Sequence, residues 1–385
     1  MNMTKWQVKK LNQLVSFKTG KLDSNAAKPN GQYPFFTCSQ QTLKTDTYSF
    51  DGEVVLLGGN NANGIYPLKY FYGKFDAYQR TYVIRSIDSL QLRNRYLYYS
   101  LHLQLDFLRS LSTGSATKFL TLTILNDFDL TLPPINVQDK IIDVLSAYDD
   151  LIENNTRRIK ILEEMAQMLY REWFVNFRFP NHENVKMVES DLGLIPEGWE
   201  VKKLGNLVSF ETGKLNSNAA IENGVYPFFT CSKEPLRTDS YSFDTECILL
   251  AGNNANGNFH INYFKGKFDV YQRTYVIRTL DKNRASNYYF YFAIKEQLDH
   301  LKSISIGAAT KFLTMGILNN IAVTLSSQEL QQKFSGCVAI LLSQIEVLQQ
   351  KNTNLRKTRD LLLSKLLSGE IDVEKVDIET LEIAA

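Results

Sequence analysis

Histidine and cysteine are scarce in this chain of 385 residues, with four of each. The cysteines, Cys38, Cys231, Cys247 and Cys337, show no CxxC spacing, so neither a disulfide framework nor a zinc site is indicated. They are read as reduced, mostly buried thiols. Long apolar runs are missing too: no stretch of about eighteen apolar residues could span a bilayer. Met1 to Lys10 holds no apolar stretch followed by a small-residue cleavage site, which makes a soluble, cytoplasmic protein the expectation. Also absent are a Walker A loop, an NPPY-type methyl-transfer motif, a Ser/His/Asp set and a paired-carboxylate constellation. Catalysis by this chain, with a bound metal or cofactor of its own, is therefore not expected. What is present is globular: 44% hydrophobic residues, 12% aromatics, and length enough for two or three domains.

The net charge of +2 is unevenly spread. Residues 1–132 carry +6, residues 194–325 carry +2, and the remaining segments together carry −6. Two basic regions on acidic connectors suit a partner with a phosphate backbone, although +2 in the second region is weak support alone.

The main signal is an internal repeat. VSFKTGKLDSNAA from Val15 returns as VSFETGKLNSNAA from Val208, a shift of 193. YPFFTCS, GNNANG, GKFDAYQRTYVIR and ATKFLT recur at the same shift, without a gap. Between Trp6 and Leu132 roughly 60% of positions match their counterparts, so each copy is one domain fold used twice. A period near 190 is too long for a solenoid unit, so each copy should fold on its own. Within a copy, VVLLGG (54–59), RTYVIRS (80–86) and FDLTLP (128–133) alternate with Gly/Asn turns and read as strands of a mixed sheet. One helix is expected over Asn94–Leu111.

After each copy the pattern turns helical. Leu145, Ile152, Ile159, Ala166 and Trp173 recur every seven residues, with Ile141, Tyr148, Asn155, Leu162 and Leu169 in the second register. The second segment repeats this with Leu341, Leu348, Leu355 and Leu362 beside Val338, Ile345, Asn352, Arg359 and Leu366. If the helices pair antiparallel with Asn155 facing Asn352, facing residue numbers sum to 507 and every layer but Tyr148/Arg359 is apolar. A buried asparagine pair costs stability but penalises other registers. Two separate amphipathic helices, each packed on its own domain, are the alternative. A helix of about 39 residues is about 58 Å long, a ruler between the two domains.

IPEGWEVKKLGNLVSF from Ile195, TGSATKFLTLTILNDFDLTLPPINVQDK from Thr113 and LRKTRDLLLSKLLSGEIDV from Leu355 resemble the specificity (S) subunit of type I restriction-modification systems. The first copy keeps only KWQVKKL of the opening motif, and the second has LSSQELQQK where LPP is usual. The resemblance implies an α+β chain: two similar target-recognition domains joined by two long helices in an antiparallel coiled coil, pseudo-twofold symmetric. The expected division is 1–135, first recognition domain; 136–180, long helix; 181–193, linker; 194–327, second recognition domain; 328–370, long helix; 371–385, tail. It further implies a non-catalytic subunit that holds double-stranded DNA and two methyltransferase subunits, with restriction/translocase subunits as possible further partners. S-adenosylmethionine, ATP and Mg would be bound by those partners. Because the two copies are so alike, the target is expected to be a bipartite, interrupted near-palindrome. The competing readings are a structural or protein-interaction module with a duplicated binding domain, and a methyltransferase or nuclease of unfamiliar type.

Polar residues kept in both copies are the candidate DNA contacts. Lys21, Ser24 and Asn25, with Lys214, Ser217 and Asn218, follow a glycine and suit phosphate and base-edge hydrogen bonds, or form an ordinary turn. Asn60, Asn61 and Asn63, with Asn253, Asn254 and Asn256, can read adenine through bidentate amide contacts, but Asn-Gly clusters also make turns. Gln79 and Arg80, with Gln272 and Arg273, pair an adenine reader with a guanine reader beside Tyr78 and Tyr271. Their rival is a salt bridge of the arginine to Asp76 or Asp269. Thr117 and Lys118, with Thr310 and Lys311, are candidate phosphate anchors, or a solvated loop. Phe35, Phe36, Tyr48, Phe50 and Trp173 are expected to be packing residues.

Overall fold

The computed structural model describes residues 6–61, 66–112, 118–255, 257–307 and 310–375. They fall into two compact units: Met1–Thr156 with Gln350–Ala385, and Arg157–Gln349. Asn63, Thr117 and Asn256 lie outside the described residues.

In the first unit β1 (Gln7–Lys10), β2 (Val15–Thr19), β3 (Tyr33–Phe36) and β4 (Leu43–Thr45) precede the long β5 (Phe50–Gly58). Next come β6 (Asn60–Asn61), β7 (Leu68–Ala77), β8 (Thr81–Ser86), α1 (Asn94–Leu103) and α2 (Leu105–Leu111). The domain ends with β9 (Lys118–Phe119), α3 (Leu122–Asn126) and β10 (Asp129–Leu132), from which α4 (Ile135–Tyr170) departs. Six strands form one mixed sheet in the order β2-β8-β5-β7-β3-β4, with β3 and β7 parallel. Two small ladders, β1-β10 and β6-β9, complete the domain.

The apolar run of β5 does not alternate because both faces of the strand are buried. Val54 and Leu56 point into a cluster with Phe36, Phe75 and Val83, while Val55 and Leu57 pack with Tyr96 and Leu97 of α1. The sheet also curls, so that the chain leaving β2 meets the end of β7: the Gly20 amide donates to the Thr81 carbonyl at 3.4 Å and the Leu22 amide to that of Ala77 at 3.4 Å. Gly20 is required for this approach, since a Cβ there would stand 1.8 Å from the Ala77 carbonyl oxygen. Gly213 is in the same position, 1.8 Å from that of Val270.

The second unit repeats the plan after β11 (Met187–Ser190) and β12 (Gly193–Pro196), a hairpin peculiar to it among the described residues. Its strands are β13 (Glu200–Lys203), β14 (Val208–Thr212), β15 (Tyr226–Phe229), β16 (Leu236–Thr238), β17 (Phe243–Ala251), β18 (Asn253–Asn254), β19 (Ile261–Val270) and β20 (Thr274–Thr279). Then follow α5 (Asn287–Glu296), α6 (Leu298–Ile304), β21 (Lys311–Phe312), α7 (Met315–Asn319), β22 (Ala322–Leu325) and α8 (Gln328–Leu367). The registers match those of the first unit: Val15 faces Ser86, and Val208 faces Thr279.

The single helix expected over 94–111 is two helices. The backbone breaks at Gln104 (φ −103°, ψ 7°) and again at Gln297 (φ −95°, ψ 5°), without a proline or glycine to announce it. The thiols differ from expectation as well. Only Cys247 is buried; Cys38 and Cys231 are half-buried and Cys337 is exposed. Cys247 sits in β17 where β5 has Val54, so it is packed as an aliphatic residue would be.

Each unit also holds a stretch of both long helices. In the first unit Ile141, Val144 and Leu145 share a core with Leu363, Leu366 and Leu367, and Asn155 Nδ2 donates to Asn352 Oδ1 at 3.0 Å. The numbers on one helix rise as those on the other fall, so the pairing is antiparallel. Asn352 is 3% exposed and its own Nδ2 donates to Thr156 Oγ1 at 3.2 Å. The Tyr148/Arg359 layer takes a different form. Arg359 reaches the carboxylate of the neighbouring Asp149 at 2.7 Å, which also accepts from the Tyr99 hydroxyl at 2.7 Å, because a charged partner satisfies a guanidinium better than a phenol. In the second unit Ala166, Leu169 and Tyr170 pack with Phe334, Val338 and Leu341. There Trp173 joins Phe174 and Phe334 in an aromatic cluster.

Candidate nucleic-acid interface

Candidate residues scattered over a hundred positions of sequence meet at one rim of each domain. In the first unit the turn between β7 and β8 carries Tyr78, Gln79 and Arg80. An isolated bridge ties Leu22 to Tyr78, and the Gln79 amide donates to the Leu22 carbonyl at 3.0 Å, which brings the 21–25 segment alongside. On the other side the Gly59 amide donates to the Arg80 carbonyl at 2.8 Å, and the Leu120 amide to that of Gly59 at 2.9 Å. The β6-β9 ladder then sets Asn60 opposite Phe119 and Asn61 opposite Lys118. Gly59 permits this stacking of backbones, since a Cβ would lie 2.8 Å from the Arg80 carbonyl oxygen.

The half-buried Tyr82 donates its hydroxyl to the Leu120 carbonyl at 2.9 Å and fastens the strand end. Burial pushes the Tyr82 phenol above its ordinary pKa, which keeps it a neutral donor. Tyr275 does the same for Leu313 at 2.8 Å, and burial raises its pKa likewise.

The second unit reproduces the rim. Leu215 bridges Tyr271, the Gly252 amide donates to the Arg273 carbonyl at 2.8 Å, and β18 pairs Asn253 and Asn254 with Phe312 and Lys311. Thr310 lies just before β21, half-buried.

The individual side chains differ in what they offer. Lys21, Ser24, Asn25, Gln79 and Arg80 are exposed, as are Lys214, Ser217, Asn218, Gln272 and Arg273. Asn60 and Asn253 are half-buried: Asn253 Oδ1 accepts from the Cys231 thiol at 2.7 Å, whereas Asn60 Oδ1 is buried without a partner. Asn254 is half-buried. The salt bridge weighed for Arg80 and Arg273 does not form. Asp76 is buried and accepts from the Thr47 and Ser49 hydroxyls at 2.9 and 3.2 Å, and Asp269 from Ser240 and Ser242 at 3.0 and 3.1 Å. The arginines instead lie over aromatic rings, Arg80 5.9 Å from the Phe119 centroid and Arg273 5.5 Å from that of Phe312. Stacked this way, each guanidinium keeps its hydrogen-bond donors for a ligand.

Sequence reasoning missed two duplicated features. Phe119 and Phe312 become visible only once the ladder places them under the arginines. Tyr48, expected in the core, is 45% exposed; it lies 4.9 Å from Tyr33 and under Lys74, whose Nζ is 4.7 Å from the ring centroid. Tyr226, Tyr241 and Lys267 repeat the group at 4.9 and 4.7 Å. Hydrogen bonding to the tyrosine hydroxyl raises the pKa of each lysine, so both are cationic. The signal available was that both copies keep these residues.

The family model of the type I restriction modification DNA specificity domain matches residues 3–164 and again 196–357. The EcoDI specificity subunit of Escherichia coli is 33% identical over 47% of this chain and 40% of its own length, so that alignment spans less than half of the relative. The MjaIX specificity subunit of Methanocaldococcus jannaschii is 29% identical over 74% of this chain and 70% of its own. The fold is that of a type I restriction-modification S subunit from M. genitalium, at a TM-score of 0.58 with 20% identity, covering 95% of this chain and 97% of that one. With the family model matched twice, by two domains whose cationic and amide side chains share one rim, the chain belongs to the type I restriction-modification DNA specificity family, and its function is DNA sequence specificity.

Proposed function

We propose that the chain is the non-catalytic reading subunit of a type I restriction-modification complex and that its target is an interrupted near-palindrome. The observation that carries this reading is the rim itself, built twice in the same registers from residues that are the same at all but one position. In each half-site the exposed glutamine and arginine would meet base edges in the major groove, while Lys21, Lys118, Lys214 and Lys311 would hold phosphates. Two methyltransferase subunits, and restriction/translocase subunits where present, would supply the chemistry together with their S-adenosylmethionine, ATP and Mg. Such a complex works on DNA in the cytoplasm; no helix among the described residues is long and apolar enough to cross a membrane.

Mapping adenine methylation in cells that carry this subunit and a methyltransferase partner tests the reading. Two matching half-sites on opposite strands, separated by unread bases, are the expected motif. Unrelated half-sites would overturn the symmetry argument. Methyl transfer by the purified chain alone would overturn the non-catalytic assignment.

A further inference from the structure

Residues 21–25, 59–61, 78–80 and 118–120 make up the first rim, and their counterparts 193 positions later are identical except at one place: Asp23 becomes Asn216. That place touches a reader. Asp23 Oδ1 accepts a hydrogen bond from Gln79 Nε2 at 2.7 Å, and both residues are exposed at the rim. A carboxylate only accepts, so it decides which end of the Gln79 amide turns toward it. With Nε2 held by Asp23, Oε1 and the second N–H remain for a ligand. Asn216 carries both a carbonyl and an amino group, so Gln272 can pair with it in either amide orientation.

The two orientations match different bases. An outward carbonyl with one N–H beside it fits adenine, which offers the N6 amino group and N7. An amide turned over presents its amino group, which fits guanine, where O6 and N7 both accept. We propose that residue 23 is a specificity-determining position. Asp23 locks Gln79 in the adenine-reading orientation, and Asn216 leaves Gln272 free to read adenine or guanine. The inference rests on the DNA-reading role proposed above for the rim glutamines. Under it the target is a palindrome in outline that departs from symmetry at the one base pair these glutamines read.

The test uses the whole chain with its methyltransferase partner, in four forms: unaltered, Asp23→Asn, Asn216→Asp and Gln79→Ala. Each is scored by its methylation motif and by binding to duplexes carrying each base at each half-site position. Both exchanges place a residue the fold already holds at the equivalent site, so the variants should fold. Asp23→Asn is expected to reduce the preference for adenine over guanine in one half-site by roughly tenfold and leave the other half-site unchanged. Asn216→Asp should raise that preference in the other half-site by a similar factor. If both exchanges leave every base preference unaltered, or change affinity equally for all duplexes, while Gln79→Ala changes a preference, the locking role is wrong. If Gln79→Ala leaves the motif unchanged, the rim glutamine is not a reader, and the proposal falls with that assignment.

Discussion

Arg80 and Arg273 keep their carbonyls inside the rim, each accepting an amide hydrogen bond at 2.8 Å, and their guanidinium groups outside it. Replacing either with alanine is expected to cost about 1–3 kcal/mol of discrimination at one base position, read as a relaxed preference in duplex titrations. Lys21→Ala and Lys214→Ala should instead weaken all duplexes alike and lower the salt slope by about one each. Cys247 offers a prediction away from the rim. Burial pushes its thiol from 9.0 up to about 12, so the neutral form is favoured in the folded state. The stabilisation is intact below about 9 and is lost as pH rises toward 12, so Cys247→Val should unfold less steeply than the unaltered protein over that window in a pH series of thermal melts. Much of this residue layer was legible in the sequence, because Gln-Arg and the asparagine cluster recur at a fixed shift. The fate of Asp76 was not: its hydroxyl partners Thr47 and Ser49 are about thirty positions away and only the folded sheet brings them close.

At the scale of elements, heptads chose both helices and the asparagine pair, and a layer of charge corrected one contact. Asn352 is buried and makes two side-chain hydrogen bonds, to Asn155 and Thr156, so replacing it with leucine strands both partners. A loss of about 1–3 kcal/mol in chemical unfolding is expected for Asn352→Leu, and the double change Asn155→Leu with Asn352→Leu should recover part or all of it. The doubled variant should also lose its preference for one register, visible as heterogeneous crosslinking between the helices. The helix break at Gln104 was illegible because nothing in HLQLD opposes helix; beyond it α2 packs into the domain core through Leu108, a contact that only the folded domain supplies. The curl of the sheet was hidden for a related reason. Gly20 reads as one more turn glycine until the Ala77 carbonyl is placed against it. Gly20→Ala and Gly213→Ala are expected to lower the melting temperature by several degrees, at roughly 1 kcal/mol or more each, in thermal unfolding.

At the scale of the whole molecule, the repeat and the heptads together made the architecture legible, since they supplied both the unit and its connectors. One heptad added to each long helix would lengthen the connectors by about 10 Å, or about three base pairs of rise. The methylation motif should then keep its half-sites and gain about three unread base pairs; an unaltered gap would show that the helices do not set it. The first unit has another property. Its core includes Leu363, Leu366, Leu367 and Val373, contributed from beyond the entire second unit, with Trp6 and Ile371 packed beside them. On the ribosome this reverses the order of completion. The domain translated first must wait, with apolar surface uncovered, until residue 373 emerges, while the domain translated second has all its core residues in hand by residue 349. A ribosome stalled between those two points would carry one finished reader and one unfinished reader, and the unfinished one would be the older.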